Sequence, residues 1–254
     1  MKTNLCVAVI LLLCFSAVAQ ETEKRKFRFP VWLYTADKVD IYGLSVGVGS
    51  DLYQNSDYVG VRSNGIRIEP VSESLLIATL IFGPDTVDYP LNASEHDAFS
   101  KKIPNEIING LNLSCGTNAF ANVNGITISA ISQSLKDTNG ISLAGLGSGS
   151  FRNNGIQIAG AGTSSLYSMG IIASCLNTDV YKGCGLQIGG FNKSVEFNGV
   201  QIGIFNNVMT PGEKFSGLQI GVFNNTKKLR GIQLGLLNKN EKRTLPLINW
   251  NFRD

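Results

Sequence analysis

Apolar and polar residues alternate with period two in short segments that return at a fixed interval along most of this chain. Between residues 110 and 185 each segment opens on a glycine: Gly110, Gly125, Gly140, Gly155, Gly170 and Gly185, fifteen residues apart. The series continues at Gly199, Gly217 and Gly231, with gaps of fourteen, eighteen and fourteen. Early copies read Gly125-Ile-Thr-Ile-Ser and Gly155-Ile-Gln-Ile-Ala, and later ones sharpen to Gly185-Leu-Gln-Ile-Gly and Gly217-Leu-Gln-Ile-Gly. Positions two and four are aliphatic and position three is mostly polar, which predicts a β-strand with one buried face. The aliphatic residues are the expected inward set, with lone apolar residues such as Leu135, Leu166, Val195 and Leu229 returning from the other side. Asn precedes the glycine at Asn109, Asn124, Asn139, Asn154 and Asn198, so each strand is expected to begin at a tight turn.

A fixed short period is the mark of a repeat architecture, in which stacked neighbours share a core that no unit has alone. Position eight is Asn in five successive units: Asn177, Asn192, Asn206, Asn224 and Asn238. In parallel coils these amides stack and hydrogen-bond along the column as a ladder. In an antiparallel meander, open or closed into an outer-membrane β-barrel, equivalent residues of adjacent repeats fall at opposite rims. Nothing would then keep them alike. The expected fold is therefore all-β, a parallel β-helix-like solenoid of about 15 residues per coil, with the meander or barrel as the alternative.

The repeat domain is expected over residues 41–254, after a lead-in at 20–40. Tyr42-Gly43-Leu44-Ser45-Val46-Gly47 and Asn64-Gly65-Ile66-Arg67-Ile68 read as two early coils. Residues 69–108 do not repeat and read as an insertion, where either function or a covering flap is expected. At the other end, residues 244–254 read as a cap. Pro246 cannot donate to a ladder, and Trp250 and Phe252 are placed to close the last apolar layer. The first nineteen residues read as an export signal: Lys2, an apolar run from Leu5 to Phe15, and Ala17-Val18-Ala19 before Gln20.

Charge changes the picture only toward the C-terminus. Residues 20–109 hold 9 basic and 13 acidic side chains, whereas residues 110–254 hold 12 and 6. Lys227, Lys228, Arg230, Lys242 and Arg243 crowd the last repeats. A solvated edge explains them; the functional reading is contact with anionic envelope lipid or polysaccharide. No motif supports a nucleic-acid partner. Cys115, Cys175 and Cys184 remain beyond the leader, an odd set that argues against a disulfide framework. Cys115 and Cys175 read as buried fillers, while a Cys175–Cys184 pair would need the turn of one coil to bring them together.

Candidate chemistry is sparse. The one histidine, His96, sits between acids on a Pro-flanked stretch and makes no multi-His metal site. Phosphate-loop, dinucleotide and nucleophile-elbow patterns do not occur, so no cofactor and no catalytic residue is assigned. Residues 110–254 carry Asp only at 137, 179 and 254, too few for calcium-binding repeats or for the carboxylate faces of β-helical polysaccharide enzymes. A carbohydrate-binding or carbohydrate-active β-helix is the last alternative.

The tandem Gly-Leu-Gln-Ile-Gly-x-x-Asn units, ending in Leu245-Pro246-Leu247-Ile248-Asn249-Trp250, resemble the bacterial surface-repeat proteins exported to Gram-negative envelopes. The likeness runs from Gly43 to Phe252 and is strongest from Gly185 onward. It implies an exported, envelope-associated repeat protein of no established biochemical activity, and it carries over no catalytic or ligand residue.

Overall fold

The computed structural model describes residues 25–33, 38–48, 58–71, 100–118, 120–208 and 214–252. The leader lies outside these residues, as do His96 and most of the expected insertion. Strands β1 (Lys26–Arg28), β2 (Val31–Leu33), β3 (Val39–Val48), β4 (Val61–Val71), β5 (Glu106–Ser114), β6 (Thr117–Asn118) and β7 (Ala121–Ser129) make the first half. The rest are β8 (Ser132–Ala144), β9 (Gly147–Ala159), β10 (Gly162–Ser174), β11 (Asn177–Val208), β12 (Lys214–Asn225), β13 (Lys228–Lys239) and β14 (Thr244–Asn251). They follow one another through the stack in chain order, and the pairings from β3 to β13 are parallel. Glycine lies on glycine throughout: Gly43 on Gly65, Gly65 on Gly110, and so on to Gly217 on Gly231. This is a β-solenoid, not an antiparallel meander and not a barrel.

The glycines do not sit in turns between strands, as the Asn-Gly pairs led one to expect. They stand inside the strands, at a corner each coil turns without breaking its ladder. Eleven of them hold φ between 112° and 151°, a region open to residues without a Cβ. Gly110 pairs directly with Gly65, so β4 and β5 are neighbouring layers of the stack. The pairing of β4 continues to Glu69 and that of β5 begins at Glu106, so the expected insertion at 69–108 is overlapped by strand at both ends. Its exit is fastened to the coils. Lys136 Nζ donates to the Lys102 carbonyl at 2.6 Å, and the Arg152 guanidinium donates to Ser100 Oγ.

The largest correction concerns which way the strands face. The position-three residues point inward: Gln157, Gln187, Gln201, Gln219 and Gln233 are all 0% exposed. The aliphatic residues beside them point outward, with Ile128 and Ile158 about two-fifths exposed (40% and 41%). The interior is therefore a polar column running Ser45, Arg67, Asn112, Thr127, Ser142 and Gln157 before the glutamines take over. Gln201 donates to Gln187 at 2.7 Å, Gln219 to Gln201 at 2.7 Å and Gln233 to Gln219 at 2.8 Å. Ile172 interrupts this column at the degenerate Gly170 unit, where it joins Val180, Phe197, Phe215 and Leu229 in an apolar cluster. Leu135, Leu166 and Leu229 return to the interior as expected, whereas Val195 is half-buried.

The asparagine ladder forms over four of its five expected members. Asn192 donates to Asn206, Asn206 to Asn224 and Asn224 to Asn238, each at 2.7 Å. Asn177 is outside it and leans toward Asp179 at 3.4 Å, while Thr178 Oγ1 donates to Asn192. The cause is the change of coil length. In the last fifteen-residue coil the ninth residue, Thr178, turns inward at this bend; in the next, one residue shorter, it is the eighth, Asn192. A further ladder links Asn64, Asn109, Asn124, Asn139 and Asn154 at 2.8 Å per step.

At the C-terminal end β14 pairs antiparallel with β13. Asn249, not an aromatic, closes the interior, donating to Gln233 at 3.0 Å. Trp250 and Phe252 are exposed instead (47% and 62%). The expected burial of the cysteines also fails: Cys115 is half-buried and Cys175 exposed, and these two and Cys184 are free thiols.

Candidate functional site

A strongly charged groove of about 710 Å³ lies over the last coils. Parallel register builds it. Glu196, Lys214 and Lys228 are stacked partners, as are Asn198, Ser216 and Arg230, so like positions recur at the coil spacing of about 4.8 Å. Buried Phe197, Phe215 and Leu229, each at most 3% exposed, form a rigid apolar backing behind these polar side chains. Phe197 and Phe215 stack with ring centroids 6.3 Å apart.

Six cations line the groove (Lys182, Lys214, Lys227, Lys228, Arg230 and Lys242) against two carboxylates, Glu196 and Glu241. Glu196 is engaged: its carboxylate lies 3.2 Å from Lys182 Nζ. That hydrogen bond raises the Lys182 pKa above its ordinary value, partly offset by desolvation. Among the described residues no carboxylate lies within ion-pair distance of Lys214, Lys227, Lys228 or Arg230. The rim is set by Asn240, whose Oδ1 accepts the backbone N–H groups of Lys242 and Arg243 at 3.0 and 2.9 Å. The Glu241 N–H donates to the Lys227 carbonyl at 3.1 Å, which pins this turn against the preceding coil.

Four of the five basic residues singled out from sequence therefore meet in one groove. Arg243 does not. Its guanidinium donates to Asn249 Oδ1 at 3.0 Å and to the Trp250 carbonyl at 2.7 Å, and it lies 4.8 Å from the Trp250 ring centroid. Its work is holding the cap, beside a smaller hollow of about 250 Å³. Sequence reasoning missed Lys182, Glu196 and Lys214. The fourteen-residue spacing from Lys214 to Lys228 was a usable signal, but the longer unit before it hid the column.

A second charged cluster is sealed in the core. Arg67, fully buried, donates to Glu106 at 2.7 and 2.9 Å, to Glu69 at 3.0 Å and to Asn112 at 2.9 Å. Burial raises the Glu106 carboxyl above its ordinary pKa, against the pull of Arg67. Glu69 and Glu106 are both buried. Among the described residues there is no group of His, Cys, Asp and Glu arranged to hold a metal, and no helix long and apolar enough to cross a membrane. Asn192, which begins a glycosylation-like triplet, is 0% exposed inside the ladder. Comparison with protein-family models, with curated proteins and with solved structures found no match to this chain.

Proposed function

We propose that this chain is an exported, envelope-associated and non-enzymatic repeat protein, a rigid scaffold that holds anionic groups in its C-terminal basic groove. The observation that carries the reading is the groove itself. Lys214, Lys227, Lys228 and Arg230 converge on an apolar backing with no carboxylate in ion-pair reach among the described residues. Cations held at the coil spacing suit a ligand with repeated negative charge, such as an acidic polysaccharide or an array of phosphorylated lipid head groups. The leader-like first nineteen residues, and the resemblance of the Gly-Leu-Gln-Ile-Gly-x-x-Asn units to bacterial surface-repeat proteins, support the export and envelope parts.

Co-sedimentation with vesicles containing an anionic phospholipid, and binding to a soluble polyuronate, test the groove and separate the two ligand sources. Binding to at least one is expected to weaken about tenfold with moderate salt and again in a Lys214→Gln, Lys228→Gln, Arg230→Gln variant. Binding to neither, or binding indifferent to both salt and variant, rejects the groove as an anion site.

A further inference from the structure

The outward facing of the aliphatic residues leaves the solenoid with an apolar exterior along one side. Column two begins at Val31 and Leu44 and ends at Ile232 and Trp250; column four begins at Leu33 and Val46 and ends at Leu234 and Ile248. Every residue between them in both columns is apolar, and Ala173 is the smallest. The face is about 13 Å wide and 50–60 Å long, or roughly 700 Å², at the ordinary strand rise and spacing. Folded monomers seldom expose a contiguous apolar patch of that size.

We propose that this face is a lipid-contact surface, which seats the rod lengthwise on one leaflet of a bilayer. Three observations select lipid as the occupant. The face carries no polar side chain in either column, whereas a protein interface ordinarily uses about one hydrogen bond per 100–200 Å² to fix its register. A second copy would have nothing to stop it sliding by one coil. The backbone N–H and C=O groups run along the stack and are satisfied by neighbouring coils, so hydrocarbon can cover the face without stranding a polar group.

The border of the face is also that of an interfacial protein. Around the next bend Phe191, Phe205 and Phe223 stack in an exposed column, with ring centroids 4.9 and 5.0 Å apart. Leu237 continues this column. Two residues beyond, the column reads Lys193, Asn207, Asn225 and Lys239, with a lysine exposed at each end. The order aliphatic, aromatic, polar with flanking lysines matches the order hydrocarbon, interface, head group.

The experiment uses the chain from Gln20 onward with neutral phosphatidylcholine vesicles, so that the basic groove contributes little and its failure is read separately. The chain is expected to float with these vesicles at both low and high salt. In a Trp32→Phe background, Trp250 fluorescence is expected to fall by half or more when the lipid carries brominated acyl chains. Lysine at three outward positions, Ile128→Lys, Ile158→Lys and Ile188→Lys, is expected to cut flotation at least tenfold with the β-type circular dichroism kept. The Trp250 readout needs no change to the face and decides the matter even where that variant fails to fold. Absence from neutral vesicles, or flotation unchanged in a folded triple variant, overturns the proposal. So does a discrete dimer in detergent-free solution that the triple variant dissociates, because the face would then belong to a second copy.

Discussion

Gly155 shows what a single position contributes to the stack. Its φ is +141°, and an added Cβ would lie 2.1 Å from the carbonyl oxygen of Gly140 in the coil below. Gly155→Ala therefore combines backbone strain with a collision against backbone that has no rotamer to change. A loss of about 3 kcal/mol or more is expected in urea unfolding, above what an ordinary Gly→Ala change costs. At Glu106 the issue is protonation. Burial holds its carboxyl above the ordinary value of 4.5, so the unfolded chain releases that proton first as pH rises. The contribution of Glu106 to stability is full below that value and is lost as pH climbs through the folded pKa. Glu106→Gln keeps the shape and removes the titration. Chemical unfolding at several pH values is expected to show this decline in the parent and not in the variant; equal slopes would refute it.

At the scale of one strand, the amide that faces inward carries three bonds. Gln219 donates to Gln201 at 2.7 Å and accepts from Gln233 at 2.8 Å and from Thr226 at 3.0 Å. Gln219→Leu adds apolar volume yet strands polar groups on both neighbouring coils. It should destabilise by about 2–4 kcal/mol, because an unpaired buried donor or acceptor costs more than its bond contributed. Equal or greater stability of this variant would show that the Gln column does not face inward. The period was legible in the sequence because parallel stacking places like over like, so each coil constrains the next. The facing was not legible. Alternation has the same period whichever side is buried, and a one-residue slip exchanges the two. Burial of the aliphatic set was the natural choice for a chain in water, but the coils instead put the position-three side chain inside. A small residue stands two places after it at Ser129, Ala159 and Gly189, all buried. The basic groove was partly legible: Lys227, Lys228 and Arg230 are adjacent in sequence, whereas Lys182 and Lys214 join them only through stacking.

The whole molecule is a rod with unlike sides. The polar columns run inside it, the aliphatic face covers one strand of every coil, and the cationic groove opens over the last coils. Antiparallel β14, with Asn249 on Gln233 and Arg243 on Trp250, ends the inner column. All of this depends on adjacent coils running the same way in register. Cysteines at Asn139 and Asn154, in a background without the native thiols, probe that arrangement directly. The two are register partners on neighbouring coils, about 4.8 Å apart and within disulfide reach. Asn124 and Asn154 are two coils apart, about 10 Å, and beyond it. Mild oxidation is expected to close the Asn139→Cys, Asn154→Cys pair nearly completely and to leave the Asn124→Cys, Asn154→Cys pair open. An adjacent pair that stays reduced under the same oxidant would mean that neighbouring repeats run in opposite directions, which contradicts the solenoid.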